Sequence, residues 1–373
     1  MKKTARVAAA ILVTTLALTA CGDRDDSDDN SSSNNTDSTS ETTESESAAP
    51  TESHPDFKAC MVSDDGGFDD KSFNQTSHDG LKQAVEQLGV QTGEIESHAQ
   101  TEFEDNINEM VQAGCNSITT VGFLLGDATL KAANKNKDID FSIVDFAYID
   151  EAGENTAPNN LKGLTYDTAQ PSYLAGYLAA AKSENGVVGT FGGVNIPTVT
   201  IFMDGFFHGV QKYNEDNDAD VQVIGWDPAK PKTGSFTNDF GDKTKGQNIA
   251  EEMIGQGADV IFPVAGPAGL GGLQAAQDNS VWGIWVDTDG CVSAAEYCDS
   301  LLTSVVKGMD VSVLEAIRES ANGEFTNELY EGTLENGGVS LADYGPQADI
   351  DDELDAKIQE LSQQIIDGTI TIG

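Results

Sequence analysis

From residue 57 onward, short apolar runs alternate with longer stretches in which apolar residues recur every three or four positions. The runs at 59–62, 117–121, 141–144, 161–166, 186–189, 221–224, 260–264, 282–286 and 301–304 read as buried strands. The stretches at 73–88, 102–112, 125–136, 170–182, 201–214, 244–256 and 270–278 read as helices. A last helix is expected over 353–366. This alternation predicts an α/β protein built from right-handed βαβ units and parallel sheets. So many strands exceed one comfortable sheet, so two doubly wound lobes are expected, with a cleft between their strand ends. No composition break near the middle marks a flexible linker, so short hinge connections are expected.

The first strand runs into a dense turn, Met61-Val62-Ser63-Asp64-Asp65-Gly66-Gly67-Phe68-Asp69-Asp70-Lys71-Ser72-Phe73-Asn74. Two glycines permit a tight bend. Ser72 is the expected N-cap of the following helix, which carries Ala84, Val85 and Leu88 on one face. Ligands of open α/β sheets sit at this carboxyl end of the strands. The paired Asp69 and Asp70 are expected to pin the turn and the helix start.

Charge narrows the function. The chain has a formal net charge of −43, which argues against nucleic-acid binding because phosphates would be repelled. Residues 57–373 hold 52 acidic against 16 basic residues, so the body itself is strongly acidic. A solvated, self-repelling surface accounts for that without a cation-binding role.

The N-terminus points to export. Lys2, Lys3 and Arg6 precede an apolar stretch over 7–18, too short to span a bilayer as a final anchor. It ends in Leu18-Thr19-Ala20-Cys21, which resembles the lipobox of bacterial lipoproteins. That resemblance implies a signal peptide over 1–20 and a lipid-modified Cys21 tethering the protein to the extracytoplasmic face of the cell membrane. Residues 21–56, rich in Ser, Thr, Asn, Asp and Glu, are expected to be a disordered tether. The remaining cysteines are Cys60, Cys115, Cys291 and Cys298. Cys60 and Cys115 open strands that could be adjacent, and Cys291 and Cys298 could close a small loop; two disulfides or two pairs of buried thiols both fit. No CxxC occurs and the histidines do not cluster, so no metal site is expected.

Several blocks resemble one family. Asp65-Gly66-Gly67-Phe68-Asp69-Asp70-Lys71-Ser72-Phe73-Asn74-Gln75 is similar to the N-terminal signature of the BMP (basic membrane protein) family, the PnrA-like nucleoside-binding lipoproteins of ABC transporters. Gly192-Gly193-Val194-Asn195-Ile196-Pro197 with Asp204-Gly205-Phe206-Phe207-His208-Gly209-Val210 resembles a second block. Gly257-Ala258-Asp259-Val260-Ile261-Phe262 with Gly266-Pro267-Ala268-Gly269 resembles a third, and two further blocks begin at Trp282 and Leu302. Together they cover nearly all of 57–320 in the family's order. The resemblance implies a type I periplasmic-binding-protein fold, with two lobes joined by three crossovers near Tyr166, Ser304 and Gly332. The lobes would comprise 57–166 plus 304–331 and 167–303 plus 332–373. It also implies a monomer that holds a nucleoside and passes it to a permease, with no cofactor and no catalysis.

A nucleoside offers a flat base, a ribose diol and little charge. Bases stack on aromatic rings, at about 1–3 kcal/mol each, and ribose hydroxyls donate strongly to carboxylates. The resemblance implies ligand contacts from Asp64 or Asp65, from Phe73 or Phe68, and from Asn74, Asp145, Phe206, Gly266, Asp287 and Lys307. Asp145, Gly266 and Asp287 also follow expected strands, where the cleft should lie. Each has a structural alternative: Asn74, Asp145 and Asp287 as caps, Phe73 and Phe206 as core, Lys307 as a surface lysine, against its functional reading of neutralising Asp287 and hydrogen-bonding ribose. Two rival ligand readings remain: a sugar or signalling molecule bound for a receptor, and calcium-dependent nucleoside hydrolysis. Asp65, Asp69 and Asp70 match part of the hydrolase calcium motif, but Ser63 stands at its first position. A dinucleotide enzyme fits poorly, because Gln274 occupies the third glycine position after Gly269 and Gly271.

Overall fold

A computed structural model describes residues 53–372 of the chain. The signal segment, Cys21 and nearly all of the expected tether lie outside them. The first lobe is built from β1 (Lys58–Ser63), α1 (Phe73–Leu88), β2 (Gln91–Glu96), α2 (Phe103–Gln112), β3 (Ser117–Val121), α3 (Gly126–Lys135), β4 (Asp140–Val144) and β5 (Leu161–Tyr166). The second follows with α4 (Ala169–Lys182), β6 (Val187–Gly192), α5 (Pro197–Asn217), β7 (Gln222–Ile224), α6 (Lys243–Gly255), β8 (Val260–Val264), α7 (Pro267–Asp278), β9 (Trp282–Asp287), α8 (Gly290–Ser293) and β10 (Leu301–Lys307). The chain returns to the first lobe through α9 (Met309–Asn322) and β11 (Tyr330–Gly332), then crosses again to β12 (Val339–Leu341) and α10 (Asp352–Ile366).

Among the described residues the strands form two six-stranded sheets, ordered β2-β1-β3-β4-β5-β11 and β7-β6-β8-β9-β10-β12. All pairings are parallel except β10 with β12. The two orders are the same motif used twice. Each reverses beside its first strand, between β1 and β3 and between β6 and β8, which are the topological switch points where open α/β sheets bind ligands.

Central strands are buried on both faces, which is why they read as unbroken apolar runs. Ala59 and Met61 of β1 pack towards α1 and α9, while Cys60 and Val62 pack towards α2 and α3. Cys60 is disulfide-bonded to Cys115, with the Cα atoms 6.0 Å apart, just before β3 pairs with β1. Cys291 and Cys298 are also bonded and close a short loop between β9 and β10.

The second crossover differs from the expectation. Ser304 sits inside β10, which continues through Val305 and Val306 to Lys307, so the chain leaves the second sheet only at Gly308. The apolar run is held there by β9 on one side and β12 on the other. The three crossovers lie side by side: Asp167 N donates to Gly332 O at 2.8 Å, and Gly308 N to Gly338 O at 2.9 Å.

Candidate ligand-binding site

A cavity lies between the lobes where the strand ends of the two sheets face each other. Asp64 and Asp65 enter it after β1, Gly122 and Phe123 after β3, and Asp145 after β4. From the other lobe come Ile196 before α5, Gly266 and Pro267 after β8, and Asp287 and Lys307 at the ends of β9 and β10. About 600 Å³ of atom-free space lies between these residues, the open mouth included.

Its floor is an ion cluster. Lys307 Nζ lies 2.6 Å from Asp145 Oδ2 and 3.8 Å from Asp287 Oδ1. All three side chains are almost wholly buried. Asp145 and Asp287 occupy equivalent places, at the carboxyl end of the fourth strand of each sheet motif, and both have left-handed backbones, φ 66° and 70°. Such a conformation costs a non-glycine residue about 1–3 kcal/mol and is typical of functional sites. Here it turns both carboxylates into the cleft. Burial pushes both carboxyls above the usual range, and Lys307 opposes that shift in each. The ammonium also lies 5.0 Å from the ring centre of Phe202 and 5.1 Å from that of Phe73, close enough for cation–π attraction.

At the glycine turn the expected cap from Ser72 is absent, while Asp70 pins the helix start as expected. Ser72 stands at the N-cap position of α1, but its side chain makes no cap bond. Asp70 caps the helix instead. Its Oδ1 accepts from Ser72 N and Gln75 N, and its Oδ2 from Asn74 N, at 2.9–3.0 Å. Burial nevertheless pushes its carboxyl up to about 6. Freed from capping, Ser72 Oγ donates to Asp287 Oδ2 of the other lobe at 2.6 Å. Asp70, one of the acids matched to the calcium motif, is thus committed to backbone N–H groups.

Asp64 and Asp65 both line the cavity. Desolvation drives the Asp64 carboxyl well above the usual range, with Asp70, Asp65 and Asp145 adding to the shift. Asn74 is buried and also lines the cavity; its Nδ2 donates to Asp65 O at 3.4 Å, while its Oδ1 has no partner among the described residues. Gly122, at φ 123°, makes room for Asp64: a Cβ there would stand 2.1 Å from Asp64 Oδ2. Gly122→Ala is therefore expected to cost about 1–3 kcal/mol of stability. Urea unfolding checks this, and an unchanged midpoint would show that Asp64 moves aside freely. Gly266 needs glycine for its backbone, φ 52° and ψ −137°, since a Cβ there would meet only Phe240 at 4.0 Å.

Of the aromatic candidates, Phe73 lines the cavity. Phe68 does not; its ring stacks on His78 at 4.4 Å. Phe206 is displaced from its expected role: it is fully buried in the second lobe's core against Phe262, 5.1 Å between ring centres. Phe202, one helical turn earlier on α5, lines the cavity instead, with Phe123 and Phe240. A helical period puts 202 and 206 on one face, but the first turns of α5 are the ones at the cleft, and four residues carry Phe206 about 6 Å further along the axis. Phe240 lies in an irregular connection between β7 and α6, where periodicity offers no signal.

The Bmp family model, ABC transporter substrate-binding protein PnrA-like, matches residues 57–373. The chain is similar to the ABC transporter nucleoside-binding protein BmpA of Lactococcus lactis subsp. cremoris, 29% identical over 336 residues, covering 85% of this chain and 89% of that protein. It is also similar to the CD4+ T-cell-stimulating antigen of Listeria monocytogenes, 30% identical over 340 residues, covering 86% and 89%. Its fold is that of an ABC transporter solute-binding protein from Aeropyrum pernix, with a TM-score of 0.74 at 23% identity over 84% of this chain and 92% of the other. With two parallel-sheet lobes facing across a cleft and a family match spanning the whole folded body, this chain belongs to the Bmp family, the PnrA-like substrate-binding proteins of ABC transporters.

Proposed function

We propose that this chain binds a nucleoside, a purine one, in the interlobe cavity and delivers it to an ABC permease, with no chemistry on the ligand. The observation that carries the reading is the buried Asp145–Lys307–Asp287 cluster set beside the rings of Phe73 and Phe202. Carboxylates held by one lysine keep acceptor positions for a ribose diol. Rings from both lobes give a base two faces on which to stack. The unpartnered Asn74 Oδ1 would accept from a base N–H. Five aspartates against one lysine line the cavity, which disfavours a phosphate and so a nucleotide. The Lactococcus lactis relative, a nucleoside-binding protein by name, points to the same ligand class. The apolar segment over 7–18 and Cys21 support export and lipid anchoring at the extracytoplasmic face. Among the described residues no helix is long and apolar enough to cross a membrane.

Calorimetric titration of the purified full chain with inosine, guanosine, cytidine and ribose tests the assignment. Purine nucleosides are expected to bind tightest, and ribose binding as tightly as inosine would move the reading to a sugar. Asp287→Ala is expected to weaken nucleoside binding at least tenfold, about 1.4 kcal/mol; unchanged affinity would remove Asp287 from the ligand set.

A further inference from the structure

Outside the cavity, a second set of contacts joins the lobes at Lys71. Its Nζ lies 2.6 Å from Glu296 Oε1, and its carbonyl accepts from Trp285 Nε1 at 3.2 Å. Lys71 stands just before α1 of the first lobe; Trp285 and Glu296 belong to the second. Neither Lys71 nor Glu296 lines the cavity. Glu296 is not on a free loop. It sits in the 3₁₀ segment Ala295–Ser300, clipped by the Cys291–Cys298 disulfide. Gln277 Nε2 of α7 donates to Glu296 O at 2.8 Å, and Tyr297 OH to Gln274 Oε1 at 3.3 Å. The backbone that carries Glu296 is thus held in place on the second lobe, facing Lys71 of the first.

Closing this cleft is electrostatically difficult. The body carries 52 acidic and 16 basic residues, and closure brings Asp65, Asp70 and Asp145 of one lobe towards Asp287 of the other. Two ion pairs counter that across the seam: Lys307 with Asp145, inside the site, and Lys71 with Glu296, outside it. We propose that Lys71 and Glu296 are positioning residues forming a closure latch, which sets the closed population of the ligand-free protein and through it the apparent affinity. A ligand that binds only the closed form has its affinity scaled by the closed fraction. The consequence for affinity rests on the nucleoside reading; the latch itself does not.

The test pairs small-angle scattering of the ligand-free full chain with inosine titration. Glu296→Lys sets two cations against each other and is expected to enlarge the radius of gyration and weaken inosine binding about fivefold. The swap Lys71→Glu with Glu296→Lys restores both, which a merely structural role for either residue would not. Cys291→Ser with Cys298→Ser loosens the presenting loop and is expected to give a smaller change in the same direction. A ligand-free protein that is already open, a Glu296→Lys protein identical to the parent, or a swap that fails to restore closure would each overturn the latch. If no variant binds inosine, the nucleoside reading fails while the scattering comparison still decides the latch.

Discussion

Lys307→Met is expected to lower the unfolding free energy by about 3–5 kcal/mol, the usual cost of removing one partner from a buried ion pair. Methionine nearly matches the lysine stem in length, so packing changes little and the loss is electrostatic. Asp145 and Asp287 would remain as buried carboxylates on either side of an apolar side chain. Each already has its pKa raised by burial, with Lys307 restraining the rise. Without the lysine both rise further, so the folded variant binds protons that the unfolded chain does not. Stability of the variant then falls as pH rises through the carboxylate range, and the gap from the parent widens towards neutral pH. Adding Asp145→Asn to Lys307→Met removes one stranded charge and should recover part of the loss. Urea unfolding at pH 5 and pH 7 measures all of this. A defect under about 1 kcal/mol at pH 7 would mean that water reaches the cluster and that the ion pair does not organise the cleft.

The same cluster shows how far the amino-acid pattern reaches. Strands β1, β3 and β8 are legible because both faces of a parallel sheet are covered, so alternation disappears into continuous apolar runs. Strand β2 is not: Gln91-Thr92-Gly93-Glu94-Ile95-Glu96 is an edge strand, half in water, with a mostly polar sequence. The three-residue β11 and β12 are too short for any period to show. Asp145 and Asp287 stand out by their places after apolar strands. The pairing of Lys307 with Asp287 is among the expectations; that Asp145 shares the same lysine is not, because only the meeting of the two lobes brings the end of β4 to the end of β10. Ser72 illustrates a different limit. Its position before α1 marks a cap; Asp70, expected to pin the helix start, takes the backbone donors, and local sequence offers no hint that the hydroxyl is thereby left for the opposite lobe. Contacts between lobes depend on closure geometry, which no local pattern encodes.

Phe202 and Phe206 separate a binding ring from a packing ring. Phe206→Ala is expected to cost about 3–5 kcal/mol of stability, because it empties a fully enclosed site against Phe262. The protein that remains folded should bind inosine within about threefold of the parent, since the ring never faces the cavity. Phe202→Leu keeps most of the apolar volume, so its stability cost should stay below about 1.5 kcal/mol. It removes an aromatic face, and about 1–3 kcal/mol of base stacking with it. It also takes the ring from beneath the Lys307 ammonium, 5.0 Å from its centre. Measured side by side by urea unfolding and calorimetry, the two variants should fail in opposite assays. If Phe206→Ala instead lost affinity at full stability, the core and the cleft would have to exchange places along α5. A Phe202→Leu protein that bound inosine as the parent does would leave stacking to Phe73, Phe123 and Phe240 and remove Phe202 from the ligand set.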